Sequence, residues 1–352
     1  MSAQDRTLDQ YQELMTINAA GHLLRAGRDL GVYKCLQERQ HTAEQLAESI
    51  QIPVVSLNLL LDSLVAIGIL ERYEDDFALS STARLLCQYD NDLGDSTWQR
   101  LLERIQSADS DVSSETMHGD PIQSHFDAIA ATQWVHTPAA MQAAEILDTV
   151  GDEFSNDPTL DPNERDPEEK LQAESRCLLD LGCGSAVWSC ALAHRDPRLR
   201  VTAVDHAPAL ESAMATAASI QLQDRFATLV GSLTNLDAIE SDIEEGSYDY
   251  VLIAQRLHSL APEQISRVLS YSAAACRSGG KVLVIDSFRA KARPTLAESI
   301  EALKLLVQTP NGSVPDLATA QSRMLKAGLE SLQFTFIAAS RCGFGLLVGT
   351  KP

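Results

Sequence analysis

The sequence predicts an α/β protein, a mostly parallel seven-stranded sheet preceded by an α-helical unit with the outline of a winged helix. Three observations predict it. From Arg176 onward short apolar runs alternate with helical stretches, the pattern of a parallel sheet covered on both faces. The last two runs, Leu329 to Ile337 and Phe344 to Gly349, are separated by too few residues for a helical crossover, so an antiparallel hairpin is expected at one sheet edge. Ahead of the sheet, two helices and a two-stranded wing follow one another within the first eighty residues.

From Leu8 to Leu36 apolar residues fall at helical spacing, and Asp29 and Gly31 divide a long first helix from a short second one. Thr42, Glu44 and Gln45 mark the start of a helix from Ala43 to Ile50. Pro53 opens the next, which carries Leu57, Leu60, Leu61 and Leu64 on one face and ends at Gly68. Short strands follow at Ile69 to Tyr73 and Phe77 to Leu79, joined by Glu74, Asp75 and Asp76. Helical pattern returns from Ser96 to Gln106 and from Pro121 to Val150, the latter carrying Phe126, Trp134 and Met141 along one side. A stripe of this kind is ordinary core packing, and it is also the candidate lining of a substrate pocket. Residues 151–175 are rich in acids and prolines and read as a mobile linker. The strands of the sheet are placed at Cys177 to Leu181, Leu199 to Val204, Phe226 to Val230, Tyr248 to Ala254 and Lys281 to Asp286. The expected division is therefore 1–108 for the winged-helix-like unit, 109–150 for bridging helices, 151–175 for the linker and 176–352 for the sheet domain.

Lys and Arg number 28 against 49 Asp and Glu, a formal net charge of −21, which argues against a partner held by phosphate or anionic lipid. A winged helix often reads DNA, but the would-be recognition helix from Val54 to Ile67 carries Asp62 and no Lys or Arg. Pairing with a second copy of the chain is the better expectation, giving a homodimer through the N-terminal unit. No apolar run reaches the ~20 residues of a membrane span, and the N-terminus resembles neither a signal nor a transit peptide, so a cytoplasmic protein is expected. The 7 cysteines are scattered without metal-ligand spacing, so neither disulfides nor a metal is expected.

The chemistry concentrates in two segments. Leu178-Leu179-Asp180-Leu181-Gly182-Cys183-Gly184-Ser185-Ala186 is a strand running into a glycine turn and then a helix, where backbone can approach a ligand at the sheet's switch point. The next strand ends in Asp205, from which a carboxylate accepts both hydroxyls of a ribose, so a nucleoside ligand is expected. A dinucleotide site would want a third glycine, which Ser185, Ala186 and Val187 do not supply. The second segment, Ala254-Gln255-Arg256-Leu257-His258-Ser259-Leu260-Ala261-Pro262-Glu263, places His258 at a strand's carboxyl end, on the ligand side of the sheet. There it serves either as a structural residue or as a base; neutral imidazole suits removal of a hydroxyl proton near pH 7.

The run Asp-Leu-Gly-Cys-Gly-Ser resembles motif I of class I S-adenosylmethionine-dependent methyltransferases, a family that usually has a further glycine where Ala186 stands. The whole chain resembles the winged-helix, dimeric O-methyltransferases, which include the plant caffeate and flavonoid enzymes, animal acetylserotonin methyltransferase and bacterial tailoring methyltransferases. The resemblance implies a Rossmann-like methyltransferase domain, with S-adenosylmethionine held by Asp180, Gly182, Cys183, Gly184, Asp205, Ser232, Leu233, Ala254 and Gln255 and no metal. It implies His258 as catalytic base supported by Asp286, which ends the pattern Gly279-Gly280-Lys281-Val282-Leu283-Val284-Ile285-Asp286 where the family has Glu. The methyl acceptor would be a small aromatic or polyketide-like hydroxyl compound, with Phe126, Trp134 and Met141 near it.

This sequence departs from the family at several points. The segment Leu-His-Asp-Trp-x-Asp-Glu keeps only Leu257, His258 and the final acid, Glu263. The second orienting Glu falls on Leu317, beside Asp316, the acid near the adenine is Ser232, and the usual Lys ahead of the histidine is Ala254. Two alternatives stay open: a cofactor-binding relative with different chemistry, and a dimeric binding protein whose methyl transfer has decayed.

Overall fold

The computed structural model describes residues 3–106, 121–151, 175–239, 241–289 and 294–352. The stretch expected to be a mobile linker, 151–175, lies outside them except for its two end residues. The chain forms two compact units, Met1–Gln99 and Arg100–Pro352. The helical stretch after Pro121 belongs to the second.

In the first unit, α1 (Ala3–Asp29) and α2 (Val32–Glu38) are separated at Gly31, whose φ of 79° is the left-handed conformation that glycine adopts without strain. The start of α3 (Ala43–Ile50) is the capping box expected at Thr42: its hydroxyl accepts from Gln45 N while the Gln45 side chain accepts from Thr42 N. Then come α4 (Val54–Ala66), the hairpin β2 (Leu70–Tyr73) and β3 (Asp76–Leu79), and α5 (Ser81–Tyr89). A short strand the pattern did not mark, β1 (His41–Thr42), pairs antiparallel with β3. Two residues are too few for an alternation to show. Leu46, Leu57, Leu61, Leu64 and Phe77 close a core of their own.

The helix expected from Ser96 to Gln106 is two, α6 (Asp95–Trp98) and α7 (Leu101–Gln106). The one expected from Pro121 to Val150 is also divided, into α8 (Pro121–Thr132), a 3-10 turn (Gln133–His136) and α9 (Thr137–Gly151). The reason is Pro138. An unbroken helix would need its missing N–H to reach the Trp134 carbonyl, which instead accepts from the Thr137 hydroxyl at 2.7 Å. Phe126, Trp134 and Met141 therefore do not share one helix face.

The second unit is built on β4 (Arg176–Leu181), α10 (Val187–Arg195), β5 (Leu199–Asp205), α11 (Ala207–Ser219), β6 (Phe226–Val230), β7 (Tyr248–Ala254), α12 (Pro262–Ala275) and β8 (Cys276–Ser287). After them come α13 (Leu296–Gln308), α14 (Leu317–Lys326), β9 (Glu330–Phe336) and β10 (Phe344–Thr350). Among the described residues these strands form a seven-stranded sheet in the order β6-β5-β4-β7-β8-β10-β9. Its pairings are parallel from β6 to β8, and β10 runs antiparallel to both β8 and β9. Successive strand residues feed two cores: Leu178 and Leu252 face the side of α9 and α10, whereas Leu179 and Val251 face the side of α12. The order reverses between β4 and β7, so the turns after these strands share the switch point. Among the described residues no single helix is long and apolar enough to cross a membrane, and no group of three His, Cys, Asp or Glu is arranged around a metal site.

Leu61 is wholly buried in the first core. Leu61→Ala is expected to lower that unit's unfolding free energy by about 2–5 kcal/mol, measured by urea denaturation. A loss below about 0.5 kcal/mol would show that α4 does not anchor this core.

Candidate active site

The glycine turn after β4 is anchored to the neighbouring strand, since Gly182 N and Cys183 N both donate to the Val204 carbonyl, at 2.8 and 3.1 Å. Gly182 and Gly184 have φ of 74° and 58°. Ala186, where the resemblance expects glycine, has φ 57° as well, a conformation that its Cβ disfavours. Asp205, at the end of β5, ties the turn down: its Oδ2 accepts from Gly184 N at 2.9 Å. Its Oδ1 accepts from His206 N at 2.8 Å and contacts His206 Nδ1 at 2.7 Å.

Into this corner runs the side chain of Arg256, with no exposed surface at all. Its Nε donates to the Gly182 carbonyl at 2.7 Å, one terminal nitrogen donates to Asp205 Oδ2 at 3.0 Å, and its guanidinium carbon lies 4.3 Å from the centre of the Phe126 ring. Gln133, from the 3-10 turn, covers the other side, accepting from the Ser185 hydroxyl at 3.0 Å.

His258 lies one turn further along. Its Nδ1 is hydrogen-bonded to Asp286 Oδ1, and its backbone N donates to Asp286 Oδ2 at 3.1 Å. Ser287 N also donates to this carboxylate, at 2.8 Å. The loop around Gly312 supports the segment from below, with Ser313 N donating to the His258 carbonyl at 2.8 Å. A second imidazole, His125 of α8, meets His258 edge to face with ring centres 5.9 Å apart. His125 Nδ1 lies 3.2 Å from Gln308 Oε1, and its Nε2 is buried without a partner. Burial, with the neighbouring His258 acting in the same direction, pushes His125 down to about 4, so it stays neutral at pH 7.

The structure thus brings Gly182, Cys183, Gly184 and Asp205 into one corner, with Leu233 packed over Gly182. Gln255 Oε1 accepts from Trp188 Nε1 at 2.9 Å, and Ala254 is buried in the core beside α9 and α10. Ser232 hydrogen-bonds Thr234 at 2.9 Å within its own turn. Asp316 caps α14 through Thr319 N at 2.8 Å. The three candidate pocket residues are scattered, as the break at Pro138 requires. Phe126 lies beneath Arg256, Trp134 is 39% exposed, and Met141 packs against the core beside α9. Missed from the sequence were Arg256, Gln133 and His125. Only Arg256 carried a signal, a cation set between an apolar strand end and a histidine.

Residues 178–280 match the family model described as a methyltransferase domain. This part of the chain is similar to a methyltransferase domain. No curated protein matches the chain in sequence. In fold the chain is similar to mitomycin 7-O-methyltransferase, with a TM-score of 0.69, 20% identity and 99% of each chain covered. It is likewise similar to an O-methyltransferase family protein from Burkholderia thailandensis, with a TM-score of 0.65, 17% identity and 98% of each chain covered. Human N-acetylserotonin methyltransferase, solved with S-adenosylmethionine, gives a TM-score of 0.64 at 16% identity, covering 100% of this chain and 98% of that one. These likenesses are of fold, over the whole length of the chain.

A methyltransferase domain of this architecture implies S-adenosylmethionine, and the donor set suits a nucleoside: a strand-end carboxylate, a glycine turn and two buried polar atoms, Asp180 Oδ1 and Arg256 Nη1, that lack partners. The fit carries one condition. Arg256 already holds the Gly182 carbonyl and Asp205, so the set suits the cofactor with that side chain moved aside.

Asp180 reports on the floor of this site. Burial pushes its carboxyl up to about 7, against a hydrogen bond from Ser189 and the charge of Arg256. The native chain therefore holds a proton that the unfolded chain releases near 3.8, and stability is lost as pH rises from there through about 7. Asp180→Asn, which keeps an acceptor for Ser189 Oγ, should raise the melting temperature over wild type at pH 8, with the gain shrinking toward pH 5. Parallel melting profiles across that range would contradict it.

Proposed function

We propose that the chain is an S-adenosylmethionine-dependent methyltransferase that acts on a hydroxyl of a small aromatic or polyketide-like molecule. The observation that carries this reading is the His258–Asp286 pair at the edge of a methyltransferase domain. With Nδ1 bonded to a carboxylate, the ring nitrogen left to take a proton is Nε2. Asp205, Gly182 and Gly184 would hold the nucleoside, with Ser232 and Leu233 toward its adenine; the bound cofactor supplies an electrophilic methyl group. His258 takes the acceptor's hydroxyl proton at Nε2 as the oxygen becomes nucleophilic, and Asp286 stabilises the resulting imidazolium. Much of the rest is positioning, which walls as closely packed as these provide.

The first unit is proposed to pair with its counterpart in a homodimer. In support, α1 exposes Leu8, Tyr11, Leu14, Met15 and Ile17, each at least 50% accessible. A reducing, cytoplasmic setting agrees with the seven free cysteines. One observation favours a second reading, a cofactor-binding relative with other chemistry or a binding protein without turnover: the arginine in the nucleoside corner.

A screen for methyl incorporation from labelled cofactor into metabolite mixtures should yield an acceptor. With it, His258→Ala is expected to lose methyl transfer by about 10²-fold or more while cofactor binding stays within about twofold of wild type. Unchanged turnover would remove the base role. Light scattering should give the mass of two chains, which a clean monomer would contradict.

A further inference from the structure

Three of the groups expected to hold a nucleoside, Gly182, Gly184 and Asp205, are turned instead toward one side chain of the protein itself. A carboxylate offers about four lone-pair positions, and at Asp205 the neighbouring donors are Gly184 N, Arg256 Nη2, His206 N and His206 Nδ1. No position remains for a ribose hydroxyl. The glycines are filled in the same way. A Cβ built on Gly182 would meet Arg256 Nε at 3.0 Å and Cγ at 3.1 Å, and one built on Gly184 would meet Arg256 Nη2 at 3.1 Å. The open face that these glycines provide is thus occupied by the arginine, with Leu233 beside it at Gly182 and Gln133 at Gly184.

The guanidinium is well suited to hold this place. Its charge is matched by Asp205, its face lies on the Phe126 ring, and two of its nitrogens have partners. It is also suited to leave. Nη1 is buried without a partner, and an arginine side chain leaves its seat by bond rotations, with no movement of the β4 turn.

We infer that Arg256 is the residue that sets the affinity of the cofactor site, an internal cation holding the Asp205 carboxylate and the Gly182 carbonyl that a nucleoside must win by displacing it. This rests on the reading of the corner as a nucleoside site. Binding is then a competition between two ligands for one carboxylate, and the apparent affinity is lowered by the fraction of chains in which the arginine holds the seat. The same exchange gives Arg256 a further consequence: the site closes on itself whenever the nucleoside departs.

Calorimetry with S-adenosylhomocysteine tests the competition on the full chain. Arg256→Met keeps a stem against Phe126 and removes the donors, so it should bind about tenfold more tightly than wild type or better, the scale of one charge-assisted hydrogen bond released. Equal or weaker binding by the folded variant overturns the inference, because Arg256 would then be neutral or a cofactor ligand. If neither wild type nor Arg256→Met binds at high micromolar concentration, the inference and the nucleoside reading fall together. A second measurement uses wild type alone, so it stands even if the variant does not fold. In nitrogen-15 spectra the buried Arg256 Nε–H should exchange slowly, and saturating S-adenosylhomocysteine should abolish that protection. Tight binding with the Nε–H still protected overturns the inference and leaves the nucleoside site intact.

Discussion

The carboxylate of Asp205 is the interaction on which the site's geometry depends. It stands where β5 ends, beside the switch between β4 and β7, and receives donors from the glycine turn, from Arg256 and from His206. Through Gly184 it ties down the turn into α10, and through Arg256 it fastens the strand end of β7 to that of β5. Leaving a buried charge without its partner is far more costly than the pair is favourable, so Arg256 gives up Asp205 only to another donor. In this structure the corner is filled by Arg256 and is not an open cavity.

The second centre, His258 with Asp286, depends on a different pair of strands. Asp286 stands one residue before the end of β8 and receives three donors, two of them from His258. The aspartate is a methylene shorter than the glutamate that the resemblance would place there, and the histidine bonds the carboxylate through its backbone as well as its ring. Asp316, beside the position where the resemblance would place a second orienting acid, caps α14. His125 meets the His258 ring edge to face, neutral and held toward Gln308. The two centres meet along the segment from Gln255 to His258, where one residue faces the glycine turn and another, two positions later, the carboxylate of β8.

Most of the architecture was legible because burial imposes periodicity. The strands at Phe226–Val230 and Tyr248–Ala254 agree with their apolar runs residue for residue, and the capping box at Thr42 stands where its side chains placed it. The helix over 121–150 was misread because apolar spacing continues through Pro138, whereas the backbone bond it would need does not. The positions of Asp205, Gly182, His258 and Asp286 were likewise readable, since each lies at the carboxyl end of a strand that hydrophobicity defines. The occupant of the corner was not, because a side chain's destination depends on rotamers and on residues distant in sequence.

The sequence by itself determined the order of elements, the parallel sheet with its antiparallel hairpin, and which strand ends carry acids, glycines and a histidine, all properties of local pattern. Tertiary structure alone decided that Arg256 lies on Gly182 and Asp205, that His125 faces His258, and that Phe126, Trp134 and Met141 part company. Pattern records which residues seek burial; only packing decides which of them compete for one partner.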